Sequence, residues 1–352
     1  MPALSTTPTL DLGEASPMKA PPVVGPKTKK ATRPNTAIPS FLIDEAQATP
    51  TDTWEAQRHM AFEPPATITT MKEIGLEGQG ISPNAVSAPF SLFTKEAVLQ
   101  MRREIFSEPV LNECRYSSDF IANMIRGMGR DRAPFTYQAW SSPEVLDKIS
   151  QVAGVELVPA YDYEIANINI CVNDDPEAAA VDPDPCADHV SAVAWHYDSF
   201  PFVCVTMVSD CASMVGGETA IQLPDGTVQK VRGPSMGTAV VMQGRYIYHQ
   251  ALRAYGCRER IAMVTPFRPR SPFVRDETIL TGVRGISNLG ELYPQYAEYR
   301  FGVLEERFRE RRRGERCRRA VGGCFDIESA RAFIREQKEY LESMLEQMYE
   351  VE

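Results

Sequence analysis

Between Ala160 and Phe267 the chain is built of short runs rich in β-branched and aromatic residues, and no other feature constrains its fold as much. The runs are Ala160 to Val172, Ala192 to Val208, Glu218 to Leu223, Gly237 to Met242, Ile247 to Leu252 and Ile261 to Phe267. Turn signals separate them: Asn173-Asp174-Asp175-Pro176, Gly216-Gly217, Pro224-Asp225-Gly226, Gly233-Pro234 and Gly244. Six or more short strands punctuated in this way predict a sandwich or barrel rather than alternating β–α units.

The flanks differ in texture. Nine of the 27 prolines fall in the first fifty residues, beside a basic cluster at Lys27, Lys29, Lys30 and Arg33. Proline removes backbone donors and stops helices early, so residues 1 to about 50 are expected to form a disordered, Pro-rich tail, with order beginning near Trp54. Residues 54 to 155 read as mainly helical. Thr94 is placed to cap a helix that Pro109 closes, and Ser142-Pro143 opens another. A C-terminal helical extension covers 271 to 352. Its Arg311-Arg312-Arg313 run is interleaved with glutamates, as a solvated helix face would be. From Ile327 to Met348 an apolar stripe of Phe333, Ile334, Tyr340, Leu341, Met344, Leu345 and Met348 predicts a helix packed on the core. A homodimer contact through that stripe stays open. The class expected is α+β, with residues 51 to 352 as one domain and a β core at about 156 to 270.

Composition excludes several functions. Against 47 acidic residues stand 37 basic ones, a net charge of −10, whereas a general nucleic-acid binder needs a surplus of Lys and Arg. No apolar run approaches the length of a membrane span, and no presequence signature opens the chain. The eight cysteines form no CxxC pair. Cys186-x2-His189, with Cys204 and Cys211 downstream, lacks the spacing of a standard zinc knuckle. A reducing, cytoplasmic setting is the expectation.

Only four histidines exist: His59, His189, His196 and His249. His196 stands in Trp195-His196-Tyr197-Asp198. On a strand, residues i and i+2 share a face, so an imidazole and a carboxylate at that spacing can supply two ligands of a 2-His-1-carboxylate facial triad. An isolated His-x-Asp is common by chance. His249 follows 51 residues after Asp198, and Arg260 eleven residues after that, which fits the end of one strand, a turn and the next strand. A guanidinium fork there could pair with the far carboxylate of a metal-chelating keto-diacid. Arg258 and Arg253 compete for that role, but Arg258 falls nearer the turn and Arg253 too close to His249.

The series His196-x-Asp198, Gly216-Gly217-Glu218-Thr219, Gly237-Thr238-Ala239-Val240-Val241, His249 and Arg260 resembles the iron(II)/2-oxoglutarate-dependent dioxygenases over roughly residues 160 to 270. The texture of the whole chain is similar to fungal members of secondary metabolism that act on amino acids or their derivatives. The resemblance implies a double-stranded β-helix of the jelly-roll, cupin-like kind. It gives His196, Asp198 and His249 as ligands of Fe(II), and Arg260 as partner of the distal carboxylate of 2-oxoglutarate. Many relatives carry Arg-x-Ser, but Ala262 stands at that place here. Asn167, Asn169 and Thr206 are the candidates for the missing donor, and Tyr163, Ser199 and Phe200 for shaping a substrate site. Tyr163, Ile165, Asn167 and Asn169 would share one strand face. Trp195 and Tyr197 should face away from the iron.

What the resemblance implies is oxidation of a C–H bond of a small molecule by O2, with succinate and CO2 as coproducts. The outcome would be hydroxylation, or desaturation or cyclisation such as aziridine formation. A metal-binding sensor without turnover and a protein hydroxylase are the competing readings.

Overall fold

The computed structural model describes residues 20–27, 30–34, 36–118, 121–172, 191–210, 214–231 and 235–350, with backbone alone for 191–193. Its N-terminal half holds helices α1 (Ser40–Gln47), α2 (Ala56–His59), α3 (Lys95–Ile105), α4 (Glu108–Glu113), α5 (Gly129–Arg132), α6 (Pro134–Ser141) and α7 (Pro143–Ala153). Thr94 caps α3 by accepting from the Ala97 amide, and Ser142 caps α7 by accepting from the Val145 amide. Pro109 opens α4 instead of closing the helix before it, because a missing N–H is harmless in a first turn. Gly154 ends α7 at φ 73°, and a Cβ there would lie 2.8 Å from the Asn84 side chain, so only glycine fits. Short strands interleave with the helices: β1 (Ile68–Thr70), β2 (Asn84–Ser87), β3 (Phe90–Ser91), β4 (Arg115–Tyr116), β5 (Met124–Ile125) and β6 (Leu157–Pro159). At two to four residues each, they are too short to show a period in the sequence.

The remaining strands contribute to three antiparallel sheets. In chain order they are β7 (Asn167–Val172), β8 (Ser191–His196), β9 (Phe202–Met207), β10 (Val215–Gly216), β11 (Thr219–Gln222), β12 (Val228–Val231), β13 (Thr238–Met242), β14 (His249–Leu252), β15 (Ala254–Tyr255) and β16 (Glu259–Pro269). One sheet places β7, β16, β9 and β13 side by side and is extended by β1 to β6; a second runs β12, β11, β14, β8; β10 and β15 pair only with each other. Apart from the β11–β12 hairpin, successive strands thus alternate between the first two sheets, and a mixed α and β fold results.

Strand alternation divides the large sheet into two faces. Ile168, Ile170, Phe202, Cys204, Ile261 and Met263 face the helices and join Val98, Met101, Trp140 and Ile149 in the main core. Trp140 is fully buried and donates its indole N–H to Met263 Sδ. Their strand neighbours Asn167, Asn169, Val203, Val205, Ala262 and Val264 turn the other way and line a cavity of about 710 Å³.

The expected disorder of residues 1–50 does not hold for the part that is described. Helix α1 packs on α3 with Leu42 fully buried, and Glu45 pairs with both Arg258 nitrogens at 2.9 and 2.8 Å. Val24 and Thr36 to Pro39 line the cavity. Phe41-Leu42-Ile43 is a short apolar anchor between prolines, and proline density masks it. Leu42→Ala should lower stability by about 2–5 kcal/mol, read from urea midpoints; an unchanged midpoint would mean that α1 is not packed there.

Beyond the sheets run α8 (Leu289–Ala320) and α9 (Ile327–Gln347). The stripe expected on one side of α9 is split. Tyr340 and Met344 are buried with Gln337 and Gln347, whereas Ile334, Leu341 and Leu345 are exposed. Both glutamines are bonded, Gln337 accepting from Arg307 at 3.2 Å and Gln347 from the Leu280 amide at 2.7 Å. Polar residues thereby take core positions that their type does not advertise. On α8, Arg309 and Arg313 pair with Glu305, Glu306 and Glu310 on an exposed face, and Arg311 with half-buried Glu315. Cys186, His189 and Cys211 lie outside the described residues, and Cys204 is buried. Among the described residues no helix is long and apolar enough to cross a membrane.

Candidate metal centre

His249 and His196 stand opposite each other on paired strands β14 and β8. Asp198 follows the end of β8, where its amide donates to the Gly244 carbonyl at 2.9 Å. His196 Nε2 lies 3.4 Å from Asp198 Oδ1, and His249 Nε2 lies 3.6 Å from Asp198 Oδ2. The three ligand atoms are all within 4.8 Å of one another. Adjacent ligands of an octahedral ion with bonds of ~2.1 Å lie about 3 Å apart, so small side-chain adjustments suffice.

The protons settle what these groups can do. His196 Nδ1 is 2.7 Å from the Ala194 carbonyl, and His249 Nδ1 is 2.9 Å from the Ile247 carbonyl. A carbonyl only accepts, so each Nδ1 carries the hydrogen and each Nε2 presents its lone pair toward Asp198. Asp198 Oδ2 is buried with no hydrogen-bond partner. A buried carboxylate oxygen without a donor demands a counter-charge, and two facing imidazole lone pairs with one such oxygen fit a divalent ion.

Electrostatics agrees. Burial pushes the Asp198 carboxyl up, but His249 and His196, with Arg245 behind them, outweigh it and hold it below the usual carboxylate value. Burial pulls His249 down to about 4 against the pull of Asp198. For His196 burial also acts downward, yet the Asp198 carboxylate prevails and its pKa is raised.

A second cluster, Asp52, His59 and Glu96, has the composition of a metal site without its chemistry. His59 Nδ1 accepts from the Glu55 amide at 2.9 Å, so its hydrogen sits on Nε2, where a ligand's lone pair would be needed. Arg58 already bridges both carboxylates.

Arg260 projects from β16 into the cavity and is buried. It donates from Nη2 to the Gly217 carbonyl at 3.3 Å, its Nε has no partner, and among the described residues no carboxylate pairs with it. Arg258 is instead on the outside with Glu45, and Arg253 is exposed at the cavity rim.

The other expected residues divide. Asn167 and Asn169 line the cavity, as do Ser199 and Phe200. The Ser199 hydroxyl accepts from the Gly282 amide at 3.0 Å, and Phe200 packs against Tyr161. Thr206 does not belong to the site: it pairs with Met263, and the alternation that sends Val205 inward sends Thr206 into the core. Tyr163 does not either. Ala166 at φ 59° interrupts the strand, so the parity of Asn167 does not extend back to Tyr163, which sits in a 3₁₀ turn and accepts from the Asn288 amide. Trp195 stacks on Tyr248, whereas Tyr197 lies tilted against it and, contrary to the expectation that it faces away, lines the cavity. Sequence reasoning missed Gly244, Arg126 and Glu164.

No protein-family model matches the chain, and no curated protein matches it. Solved structures, one of them of the 2OG-Fe(II) oxygenase family, are similar to it at low identity and partial coverage. An oxidoreductase of that family from Burkholderia pseudomallei is 13% identical with a TM-score of 0.31, over 41% of this chain and 65% of that one. AviO1 from Streptomyces viridochromogenes Tue57 is 15% identical with a TM-score of 0.37, over 58% and 97%. A prolyl 4-hydroxylase from Phytophthora capsici is 13% identical with a TM-score of 0.31, over 53% and 59%. The chain thus spans less than two thirds of the Burkholderia and Phytophthora proteins.

Gly244 shows how tightly the carboxylate is held. A Cβ built there would lie 1.8 Å from Asp198 Oδ2. Gly244→Ala should therefore turn the carboxylate away and weaken metal binding by roughly 10–100-fold, the range seen when a ligand loses its orientation. Titration with Mn(II) followed by electron paramagnetic resonance checks this, and an unaltered affinity would contradict the contact.

Proposed function

We propose that the chain is an Fe(II)- and 2-oxoglutarate-dependent oxygenase on a double-stranded β-helix, oxidising a C–H bond of a small molecule. The observation that carries this reading is the pair of Nδ1–H to carbonyl bonds, which leave His196 and His249 Nε2 facing Asp198, whose Oδ2 has no hydrogen-bond partner. The arrangement of eight strands in two sheets of orders β7-β16-β9-β13 and β8-β14-β11-β12, alternating between the sheets except at the β11–β12 hairpin, supports the β-helix. Support for 2-oxoglutarate comes from Arg260, a buried guanidinium in the same cavity without a carboxylate.

His196, Asp198 and His249 would hold the ion on one side and leave its other positions toward the cavity. With Fe(II) and 2-oxoglutarate bound, the site would couple the O2-driven oxidative decarboxylation of 2-oxoglutarate, to succinate and CO2, to oxidation of a C–H bond. Arg260 would fix the distal carboxylate at the deep end, and Asn169, abreast of Ala262, stands where a further donor is needed. Val203, Val205, Met242 and Val264 give the cavity apolar walls that exclude water. A polypeptide substrate is disfavoured because Val24 and Thr36 to Pro39 close over part of that wall. Hydroxylation is the default outcome, with desaturation or ring closure as variants set by how the substrate lies, and fungal secondary metabolism is the setting the sequence suggests. Succinate released from 2-oxoglutarate under air should require added Fe(II). Release that survives complete chelation would contradict the proposal.

A further inference from the structure

One group of buried polar residues in the cavity wall is not used by metal or cosubstrate. Arg126 leaves β5 one residue beyond the Ile125–Ile168 pair and so lies abreast of Asn167. Glu164 joins them: Arg126 Nη2 donates to its Oε1 at 2.5 Å and Asn167 Nδ2 to its Oε2 at 2.7 Å. Arg126 Nη2 also reaches Ser287 Oγ at 3.2 Å, and Asn167 Nδ2 the Glu164 carbonyl at 3.1 Å. Arg126, Asn167 and Glu164 are 5, 7 and 1% exposed, and all three line the cavity. Two atoms of this group stay unsatisfied, Arg126 Nε, a donor, and Asn167 Oδ1, an acceptor. In a buried wall such atoms are costly to leave unmatched.

Sheet register places the group relative to the centre described above. Asn167 pairs with Val264, and Val264 with Val205. Two residues along β9, Val203 pairs with Met242, next but one to the Gly244 that touches Asp198. Arg260 pairs with Cys171, four residues from Asn167 and thus about 13 Å away along the strand. Asn167 therefore lies at the metal end of the cavity and Arg260 at the other.

We propose that Arg126, Glu164 and Asn167 form the substrate-recognition site and take the amide edge of a small molecule, a primary carboxamide or a lactam. Its C=O accepts from Arg126 Nε–H and its N–H donates to Asn167 Oδ1. Charge selects this class over a free carboxylate. Glu164 already neutralises Arg126, and an added carboxylate would face Glu164 across a dry wall. A primary carboxamide or lactam offers donor and acceptor on one edge, as the two open atoms require. This inference deepens the oxygenase reading as to substrate, but the subsite itself contains no metal ligand.

The test is binding, not turnover. Hexanamide, caprolactam and hexanoate are titrated against the metal-free full chain and followed by saturation-transfer NMR. Both amides should bind at least about tenfold more tightly than hexanoate, the difference expected from one charge-assisted hydrogen bond made or missed. Arg126→Lys keeps a cation against Glu164 but lacks the Nε donor and should abolish the preference. Arg126→Met combined with Glu164→Met, which strands no charge, should do the same and serves if the single variant unfolds. In His196→Ala the preference should persist, so failure of the metal reading and failure of this one are told apart. Hexanoate binding as well as the amides, no binding of either amide at millimolar concentration, or an amide preference that survives loss of Arg126 would each overturn the proposal.

Discussion

His196→Ala, Asp198→Ala and His249→Ala each lose stoichiometric metal binding and, with it, succinate formation, while circular dichroism stays that of the parent. Each variant removes one of three converging donors, so the loss should exceed the roughly 10–100-fold attributed to partners that merely orient a ligand. The fold should survive because these side chains line a cavity rather than fill the core. Proton competition adds a signature. The Asp198 carboxylate raises the His196 pKa in the metal-free protein, so protons compete with an ion for His196 Nε2 as the pH falls. Affinity should hold above that pKa and fall about tenfold per unit as the pH drops below it. His249, pulled down to about 4, stays neutral throughout. Metal titrations at several pH values check the slope, and a flat profile would contradict a ligand role for His196.

Arg260→Ala should raise the apparent 2-oxoglutarate constant by two to three orders of magnitude. Removing one partner of a buried charge pair costs about 3–5 kcal/mol, and each 1.4 kcal/mol is about tenfold. Arg260→Lys retains charge without the planar fork and should fall between the two. Metal affinity measured without 2-oxoglutarate should hardly move. Arg258→Ala should leave the constant near that of the parent, since Arg258 is engaged with Glu45 outside the cavity. Loss through Arg258 with a normal Arg260→Ala would shift the register of β16.

Much of this arrangement was legible because strands write their two faces into every second residue. The β-branched runs and their Gly, Pro and Asp punctuation mark the long strands, and His-x-Asp before a distant histidine and arginine marks one cavity. Parity failed where the backbone departs from a strand. Ala166 in the left-handed region cuts Tyr163 from the face of Asn167. Thr206 fell on the wrong side because β9 begins at Phe202, which fixes Val203 and Val205 as the inward residues. Arg126 gave no signal, since the strand that delivers it is two residues long and its partner Glu164 is 38 positions away. The anchor in α1 was hidden among prolines, and Gln337 and Gln347 were hidden by their polarity. Gly244 resembled any turn glycine, and only the approach of Asp198 shows what it permits.

The central claim is that one ion is held where the two Nε2 lone pairs meet Asp198. Equilibrium binding of Mn(II) to the full chain under anaerobic conditions, followed by electron paramagnetic resonance, tests it most directly. The account predicts one ion per chain, lost in His249→Ala and retained in Glu96→Gln, which alters the other His and carboxylate cluster. Retention in His249→Ala together with loss in Glu96→Gln would contradict it.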